Sequence, residues 1–312
     1  MIEHRSVTVQ EGGVRLDAAL VLSFPSTTRS FAREAVEAGS VTVNGKVVPK
    51  GSRLKAGDVI DVISLAEESD NRVAPDSSVR LNIVFEDDAI IALDKPALMP
   101  VQPLDRNERG TLMNGVVARY PECREVGDSP LIAGALHRID AATSGLVLVA
   151  RSAEAFSNVR AQFAAQSVKK TYLALVEGDV AVGGVLENDL AHDPTLEFCR
   201  MIDARHNRLT LAQREKLRPM HAVTRYEPIG RTMVENEERT LLEVTIFTGV
   251  THQIRAQLAM ARMHIVNDTL YGAFPVAGIS GHCLHSLSAA FNHPSTGQKA
   301  EIRTPYPEWA KL

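Results

Sequence analysis

The segment at residues 136–150 combines polar residue types that can do chemistry with an apolar run that predicts a strand. His-Arg-Ile-Asp at 137–140 is followed by Thr-Ser-Gly at 143–145 and by four aliphatic residues at 146–149. Polar side chains that enter a buried strand need hydrogen-bond partners or a cavity. Asp140 could therefore be a catalytic carboxylate, or it could accept hydrogen bonds within its own turn. From residue types alone, the turn is the commoner role.

A second group has residue types that ligate metals. His282, Cys283 and His285 lie within four positions of one another. In an extended segment neighbouring side chains point to opposite faces, which separates His282 from Cys283. No second ligand pair has a spacing suited to complete the site. The sequence therefore predicts no metal centre.

The bulk composition limits the class of protein. The 312 residues hold 34 Lys and Arg against 38 Asp and Glu, a formal net charge of −4. As an average over the chain, this argues against a strongly basic nucleic-acid binder. No apolar run is long enough to span a bilayer, and the first residues lack the apolar core of a signal peptide. Three widely spaced cysteines favour a reducing, cytoplasmic location over a disulfide framework.

The length fits two domains better than one. Residues 1–65 are predicted to form the first domain, the polar segment 66–80 a linker, and residues 81–312 the second domain. The first domain has five predicted elements: a helix over 14–22, a helix from Thr27 or Thr28 to about Ala38 ended by Gly39, a hairpin of 41–43 and 46–48 around Asn44-Gly45, and a strand over 59–63.

The second domain is predicted to be α+β with a largely antiparallel mixed sheet, because its strand-like segments show few regular β-α-β alternations. Helices are predicted from Ser152 to about Gln166 and over residues 251–263. The predicted strands span residues 81–85, 89–93, 145–149, 170–176, 222–226, 240–248, 286–291 and 300–303.

Two segments are locally basic despite the acidic average. Residues 1–65 contain 8 Lys and Arg against 7 Asp and Glu, and residues 200–218 contain 6 against 2. Most of the basic residues of the first segment fall in the second helix and the sequence after it: Arg29, Arg33, Lys46, Lys50, Arg53 and Lys55. Such clusters are commonly solvated faces of mixed charge. Alternatively, both segments could contact phosphates.

The first domain resembles the S4 RNA-binding domain. The matching motifs are R-L-D-x-x-L from Arg15, T-R-S from Thr28, V-x-V-N-G-K from Val41 and L-K-x-G-D-x-I from Leu54. The resemblance favours the phosphate-contacting interpretation of the basic cluster. Its predicted RNA-binding residues are Arg29, Arg33, Lys46, Lys50 and Arg53.

The second domain resembles the RluA-type pseudouridine synthases. Residues 137–146 are similar to that family's catalytic motif, H-R-L-D-x-x-T-S-G-L. Three further blocks follow in the family's order: K-T-Y-L-A-L-V at 170–176, T-G-V-T-H-Q-I-R at 248–255 followed by Asp268 and Tyr271-Gly272, and a C-terminal block over 284–294. The earlier D-K-P-A at 94–97 also fits the family's pattern. An ordered set of blocks is far more specific than one motif.

This resemblance implies an enzyme that converts uridine in RNA to pseudouridine without a metal or cofactor. It implies that Asp140 is the essential aspartate, Arg255 its cationic partner and Tyr172 the aromatic side chain that packs on the target base. Arg138 corresponds to a residue that contacts RNA and helps to displace the target nucleotide. Taken singly, Tyr172 could be a core residue, Arg255 a surface ion pair and Arg138 a loop cap.

Several positions depart from the family pattern. Val250 stands where the family usually has a basic residue, and Ile139, Leu98, Gln102 and Gln257 also differ from the common residues.

These departures motivate an alternative, a non-catalytic RNA-binding or ribosome-assembly factor that keeps the fold. A glycoside hydrolase is a weaker third interpretation, since no second catalytic carboxylate is evident near Asp140. Within the family that the chain resembles, an S4 domain is typical of members that modify large-subunit ribosomal RNA. We therefore expect a cytoplasmic monomer that acts on large-subunit ribosomal RNA, with transfer RNA as the other substrate to consider.

Overall fold

The computed structural model describes residues 1–196, 199–205, 209–234 and 237–311. The chain forms two compact units. One comprises residues 1–73 and 104–107, and the other comprises residues 74–103 together with the chain from Glu108 onwards. The division after residue 73 falls inside the segment 66–80, which the sequence predicts as a linker. Nothing in the sequence predicts that residues 104–107 belong to the first unit.

The first unit is a three-stranded antiparallel sheet with two helices. Its elements are β1 (Ile2–Thr8), α1 (Leu16–Ser23), α2 (Arg29–Glu37), β2 (Val41–Val43) and β3 (Val59–Leu65). The strand order is β1-β3-β2. Helix α2 begins where the sequence predicts, because the Thr28 hydroxyl accepts a hydrogen bond from the backbone N–H of Phe31.

Two strand predictions for this unit need correction. The Asn44-Gly45 turn forms with φ of 49° and 74°, but residues 46–48 form only a single bridge to Val43. The predicted second hairpin strand is wrong, because pairing stops after Lys46. Pro49, which has no N–H to donate, also limits any extension of a ladder beyond it. Strand β2 pairs with β3 instead. Strand β1 escapes prediction because most of its side chains are exposed and show no apolar alternation.

The second unit is built on a ten-stranded sheet. Its strands are β4 (Ile83–Glu86), β5 (Ile90–Lys95), β6 (Ser144–Ala150), β7 (Lys169–Glu177), β8 (Gly184–His192), β9 (Met201–Asp203), β10 (Met220–Val234), β11 (Glu237–Ile246), β12 (Leu284–Asn292) and β13 (Lys299–Arg303). The order is β4-β5-β6-β12-β7-β11-β10-β8-β9, with β13 paired to β12. Only β6 and β12 pair in parallel among the described strands. The predicted α+β class and largely antiparallel mixed sheet are confirmed.

Four helices accompany this sheet in the described part of the unit. They are α3 (Leu112–Arg119), α4 (Ala153–Ala164), α5 (Leu211–Arg214) and α6 (Gln253–Met260). The main core joins β7, β11, β12 and α6 through aliphatic side chains such as Leu175, Leu242 and Leu287. This packing brings residues of motifs far apart in sequence to the start of β6. Across the described ranges, no helix has the length and apolar character that crossing a membrane requires.

Gly145 allows β6 and β12 to approach closely. Its φ of +105° favours glycine, and a Cβ at this position would lie 2.2 Å from the Ser286 carbonyl oxygen. We expect Gly145→Ala to lower the free energy of unfolding by roughly 2 to 4 kcal/mol, since conformational strain and the clash add. Urea denaturation measures the change.

Gly178→Ala is the matched control for that experiment. Gly178 has a φ of +83°, but nothing lies within 4 Å of its Cβ position. We expect a loss of about 1 kcal/mol there, from backbone strain alone. Equal losses in the two variants would contradict a special role for the close approach of β6 and β12.

Candidate active site

Asp140 and Arg255 form an ion pair at the centre of the second unit. Arg255 Nη1 donates to Asp140 Oδ2 at 2.7 Å, although the residues are 115 positions apart. Asp140 lies in the loop before β6, with 27% of its side chain exposed, while Arg255 lies on the buried face of α6. The predicted pair is therefore brought together, and Arg255 is not a surface residue.

Asp268 holds the other side of the same guanidinium. Arg255 Nε and Nη2 donate to the two carboxylate oxygens of Asp268 at 2.7 and 2.8 Å. Burial alone would lower the pKa of Arg255, but the carboxylates of Asp268 and Asp140 outweigh it and raise the pKa above its ordinary value. The bidentate contact fixes the plane of the guanidinium, so that Nη1 points at Asp140. Asp140 thus faces a permanently charged, oriented donor.

Two buried histidines hold the loop that follows Asp140. His282 Nε2 pairs with the Thr143 hydroxyl at 2.7 Å, and His285 Nδ1 pairs with the Ser144 hydroxyl at 2.8 Å. Burial lowers the pKa of both imidazoles to about 4. These residues therefore act as neutral hydrogen-bond partners of the Thr-Ser-Gly segment. Within the described ranges, no group of His, Cys, Asp or Glu is arranged to hold a metal.

We expect the free energy of unfolding to fall as the pH falls from 6.5 to 4. His282 and His285 stay neutral in the folded protein over this interval, because their pKa is lowered to about 4. In the unfolded chain the same side chains bind protons below pH of about 6.5, so acid favours unfolding. Each imidazole should cost roughly 2 to 3 kcal/mol by pH 4.

Urea denaturation between pH 4 and pH 8 measures this slope. His285→Gln keeps a hydrogen-bonding side chain but cannot titrate, so the slope should become shallower even if overall stability drops. A wild-type protein with constant stability across the interval would contradict the expectation.

Lys95 anchors the loop that carries Asp140. Its buried Nζ donates to the carbonyl oxygens of Pro96 and Met99 at 2.8 Å and of Ala141 at 3.0 Å. Burial lowers the pKa of Lys95 to about 8, against the attraction of Asp140 and Asp94. Since Ala141 directly follows Asp140, the lysine fixes the backbone on which the carboxylate stands.

Tyr172 lies on β7, opposite Ser286 of β12 and Val244 of β11. The residue is buried and belongs to the main core. Burial, with a smaller contribution from Asp140, raises the pKa of the phenol to about 12, although the Ser286 side chain lowers it in part. The hydroxyl is therefore protonated at neutral pH and close enough to Asp140 to feel its charge.

Arg138 is exposed in the loop that carries Asp140, and its side chain makes no hydrogen bond to another described residue. The departures nearby have structural roles. Gln257 is fully buried and bonds Leu186, Ala222 and Thr224, which ties α6 to β8 and β10. Val250 is half-buried against the core around Met201 and Tyr271.

The basic cluster of the first unit surrounds a buried aspartate. Asp17 is fully buried and pairs with Arg15, Arg29 and Arg33 at 3.1, 3.2 and 3.0 Å. Burial would raise the pKa of Asp17, but the three guanidinium groups hold it well below its ordinary value. Three cations on one carboxylate leave a surplus of positive charge, while about half of each arginine side chain stays exposed.

The other predicted RNA-binding residues of this unit are exposed. Lys50 pairs with Glu37, and Arg53 donates to the Gly13 carbonyl oxygen at 2.7 Å. Lys46 follows the Asn44-Gly45 turn and makes no side-chain hydrogen bond to a described residue. These side chains are available to phosphates.

The second basic segment, residues 200–218, contains β9 and α5 and not only loop. Arg200 lies over the Tyr271 ring, 5.7 Å from its centroid, and Arg205 pairs with Asp203 at 3.4 Å. Lys216 and Arg218 are exposed. Arg208 lies outside the described residues.

Sequence reasoning did not assign roles to Lys95, Asp268, His282 and His285. Lys95 lies within the D-K-P-A block, and Asp268 follows the block at 248–255. Their positions relative to these family-like blocks are the signal in the sequence that could have identified them. The two histidines stand out in the sequence only as residue types that could bind a metal. Their hydroxyl partners, Thr143 and Ser144, lie 139 and 141 positions away, so no local pattern reveals them.

Family models match both units. The model described as RNA pseudouridylate synthase matches residues 89–260, which are more than half of the chain. That range contains Asp140, Tyr172 and Arg255. The S4 domain model matches residues 14–60.

Relatives are similar over nearly the whole chain. A protein of Xanthomonas campestris pv. campestris named ribosomal large subunit pseudouridine synthase D is 31% identical over 309 residues, which cover 95% of this chain and 86% of the relative. A protein of the same name from Neisseria meningitidis serogroup B is 31% identical, over 97% of this chain and 78% of its own.

A solved structure shares the fold. Human RNA pseudouridylate synthase domain containing 1 aligns with a TM-score of 0.60 and 20% identity, covering 75% of this chain and 87% of the human one.

Proposed function

This chain belongs to the RNA pseudouridylate synthase family, and on that premise we propose that it isomerises uridine in large-subunit ribosomal RNA with Asp140 as nucleophile or base. The observation that carries the proposal is the contact between Asp140 and the buried Arg255, whose guanidinium is oriented by Asp268. The substrate assignment is supported by relatives named for large-subunit ribosomal RNA that align with almost the entire chain.

The reaction breaks the bond between C1′ and N1 of uridine and forms a bond between C1′ and C5. The C5 proton leaves and N1 gains a proton, so atoms balance without a co-reactant. A carboxylate that attacks the sugar or removes a proton must be ionised at neutral pH. The guanidinium of Arg255 donates to Asp140 at 2.7 Å and so places a fixed positive charge beside that carboxylate.

The surrounding side chains suit a flipped nucleotide. We assign to Tyr172, of which 7% is exposed, the packing against the target base, because an aromatic face can replace the stacking lost when a base leaves the helix. Its high pKa, about 12, means that the phenol keeps its proton while it packs against the base. We assign Arg138, exposed beside the loop, to contact with RNA and displacement of the target nucleotide.

RNA affinity comes from the first unit in this proposal, through Arg29, Arg33, Lys46, Lys50 and Arg53. We expect the double variant Arg29→Gln, Lys46→Gln to bind RNA more weakly and to depend less on salt. Each lost phosphate contact should reduce the slope of log K against log salt by roughly 0.7 to 0.9. Filter binding at KCl concentrations from about 50 to about 200 mM measures the slope.

The control for the binding experiment removes the same charge elsewhere. Lys299→Gln with Lys311→Gln changes two exposed lysines at the end of the second unit. A slope that falls equally in both double variants would contradict a specific role for the first unit.

The substrate is tested by tritium release from RNA labelled at C5 of uridine, because forming the new bond expels the C5 hydrogen. We expect release from large-subunit ribosomal RNA and none from transfer RNA. Release from transfer RNA alone would overturn the ribosomal assignment, and no release from either would overturn the proposed function. The non-catalytic alternative predicts that last result.

The proposal includes a cytoplasmic monomer. Cys123, Cys199 and Cys283 are all free thiols, and two of them are buried, which suits a reducing compartment. Sedimentation equilibrium of the purified protein tests the oligomeric state.

A further inference from the structure

The two oxygens of Asp140 have different surroundings. Oδ2 accepts the hydrogen bond from Arg255, whereas Oδ1 lies 3.8 Å from Nε2 of His252. That distance is too long for a hydrogen bond, but closing it needs a shift of only about 1 Å. His252 is therefore the side chain placed to act on the oxygen that Arg255 leaves free.

A chain of hydrogen bonds determines which nitrogen of His252 carries the proton. The backbone N–H of Met201 donates to the Tyr271 hydroxyl oxygen at 2.8 Å. The hydroxyl can still donate its own proton, and we infer that it donates to His252 Nδ1, which lies 3.2 Å away. When Nδ1 accepts, a neutral imidazole carries its proton on Nε2. That Nε2–H faces Asp140 Oδ1.

The buried surroundings of His252 keep the ring neutral near pH 7. Burial lowers its pKa below the ordinary value, and Arg255 and His192 lower it further, while Asp140 and Asp268 act in the opposite direction. The Tyr271 ring packs edge-on against the imidazole, with centroids 5.8 Å apart. The donor aimed at Asp140 is thus uncharged.

The backbone at His252 is unusual as well. Its φ of 50° and ψ of 21° lie in the left-handed region, immediately before α6, the helix that carries Arg255. Only a few per cent of non-glycine residues adopt this conformation, with histidine among the more frequent, and its cost is tolerated where surrounding structure enforces it. The strained position sets the direction in which the imidazole leaves the backbone.

We propose that His252 is a positioning residue for the isomerisation, which directs a neutral Nε2–H at Oδ1 of Asp140 in the tautomer that Tyr271 selects. This inference rests on the function proposed above. Arg255 on Oδ2 and His252 on Oδ1 together fix the carboxylate plane relative to the substrate sugar. Misplacement of a reacting group by about 1 Å can cost roughly 100-fold in rate.

The test compares two substitutions of His252. One suits the backbone conformation at this position, and the other keeps a hydrogen-bond donor at the position of Nε2. Asparagine suits the left-handed region but has no donor at the position of Nε2, whereas the glutamine amide nitrogen can reach that position. We expect His252→Asn to lower kcat roughly 10- to 100-fold with KM for RNA near the wild-type value. His252→Gln should recover several-fold of that loss.

The pH profile of kcat supplies a readout that a merely structural role would not move. Tyr271→Phe keeps the ring but removes the proton donated to Nδ1, so His252 should protonate more readily. The imidazolium would form an ion pair with Asp140 and weaken the carboxylate as nucleophile or base, which is why protonation lowers kcat. We expect the acid limb of the kcat profile, in which His252 gains a second proton, to shift to higher pH in Tyr271→Phe. In His252→Gln, whose amide cannot titrate, that limb should be lost. His4→Asn is the matched control, because His4 also has a positive φ, of 48°, and is exposed in the first unit.

The outcomes distinguish this inference from the proposed function. Wild-type kcat in His252→Asn would overturn the positioning role. Equal losses of kcat in His252→Asn and His252→Gln, together with an acid limb that does not move in Tyr271→Phe, would also overturn the positioning role. An active Asp140→Asn enzyme, assayed alongside, would overturn the proposed function itself.

Discussion

The Asp140→Asn enzyme is expected to lose roughly 10⁴-fold or more in kcat while it keeps the fold and the affinity for RNA. An amide can neither attack the sugar carbon nor take up a proton with useful strength. The fold should survive, because Arg255 keeps its bidentate contact with the buried Asp268, and the amide oxygen of the substituted side chain can still accept from Nη1. Single-turnover conversion of uridine in ribosomal RNA measures the rate.

Two further measurements make that result decisive. Circular dichroism and urea denaturation should place the stability of the variant within about 1 kcal/mol of wild type, since the side chain of Asp140 is partly exposed. Asp128→Asn is the control, because Asp128 is an exposed partner of Arg160 at 3.7 Å. If Asp140→Asn retained more than a tenth of wild-type activity, Asp140 would not be the catalytic carboxylate.

Replacing Arg255 should damage both stability and catalysis. Arg255→Met leaves the carboxylate of Asp268, only 2% exposed, without its cation. Breaking a buried pair in this way costs about 3 to 5 kcal/mol of unfolding free energy. The same change removes the donor to Asp140, so activity should fall below detection. Urea denaturation and the single-turnover assay measure the two effects.

A double variant separates the two effects. Adding Asp268→Asn to Arg255→Met removes the unpaired buried charge, so stability should recover by about 2 kcal/mol or more. Activity should not recover, because Asp140 still lacks its partner. Arg231→Met is the matched control, since Arg231 and Asp179 form an exposed pair at 2.7 Å whose loss should cost less than about 1 kcal/mol. Recovery of activity in the double variant would contradict the role given to Arg255.

Much of the fold follows from local patterns. The cap at Ser152, the helix end at Gly39 and the apolar run after Ser144 each predict an element that the structure contains. These signals succeed because they depend on residues a few positions apart. Strand β1 and the pairing of β2 with β3 depend on partners more than 15 positions away, and neither is written in the local sequence.

The site shows the same division between local and distant determinants. The resemblance to a family of enzymes pointed to Asp140, Tyr172 and Arg255, and its ordered motifs supplied the long-range information that periodicity lacks. The contacts that support the site could not be predicted from the sequence. Lys95 bonds three backbone carbonyl oxygens, and a carbonyl oxygen has no sequence signature. His252 is in the third motif, but its direction depends on a tyrosine hydroxyl and a backbone N–H from β9.

The most direct test of the account is a chemical map of pseudouridine in large-subunit ribosomal RNA that has been incubated with wild-type protein or with Asp140→Asn. We predict that the wild-type protein introduces pseudouridine at discrete positions and that Asp140→Asn introduces none. Pseudouridine at the same positions with both proteins, or with neither, would contradict the claim that Asp140 isomerises uridine in this RNA.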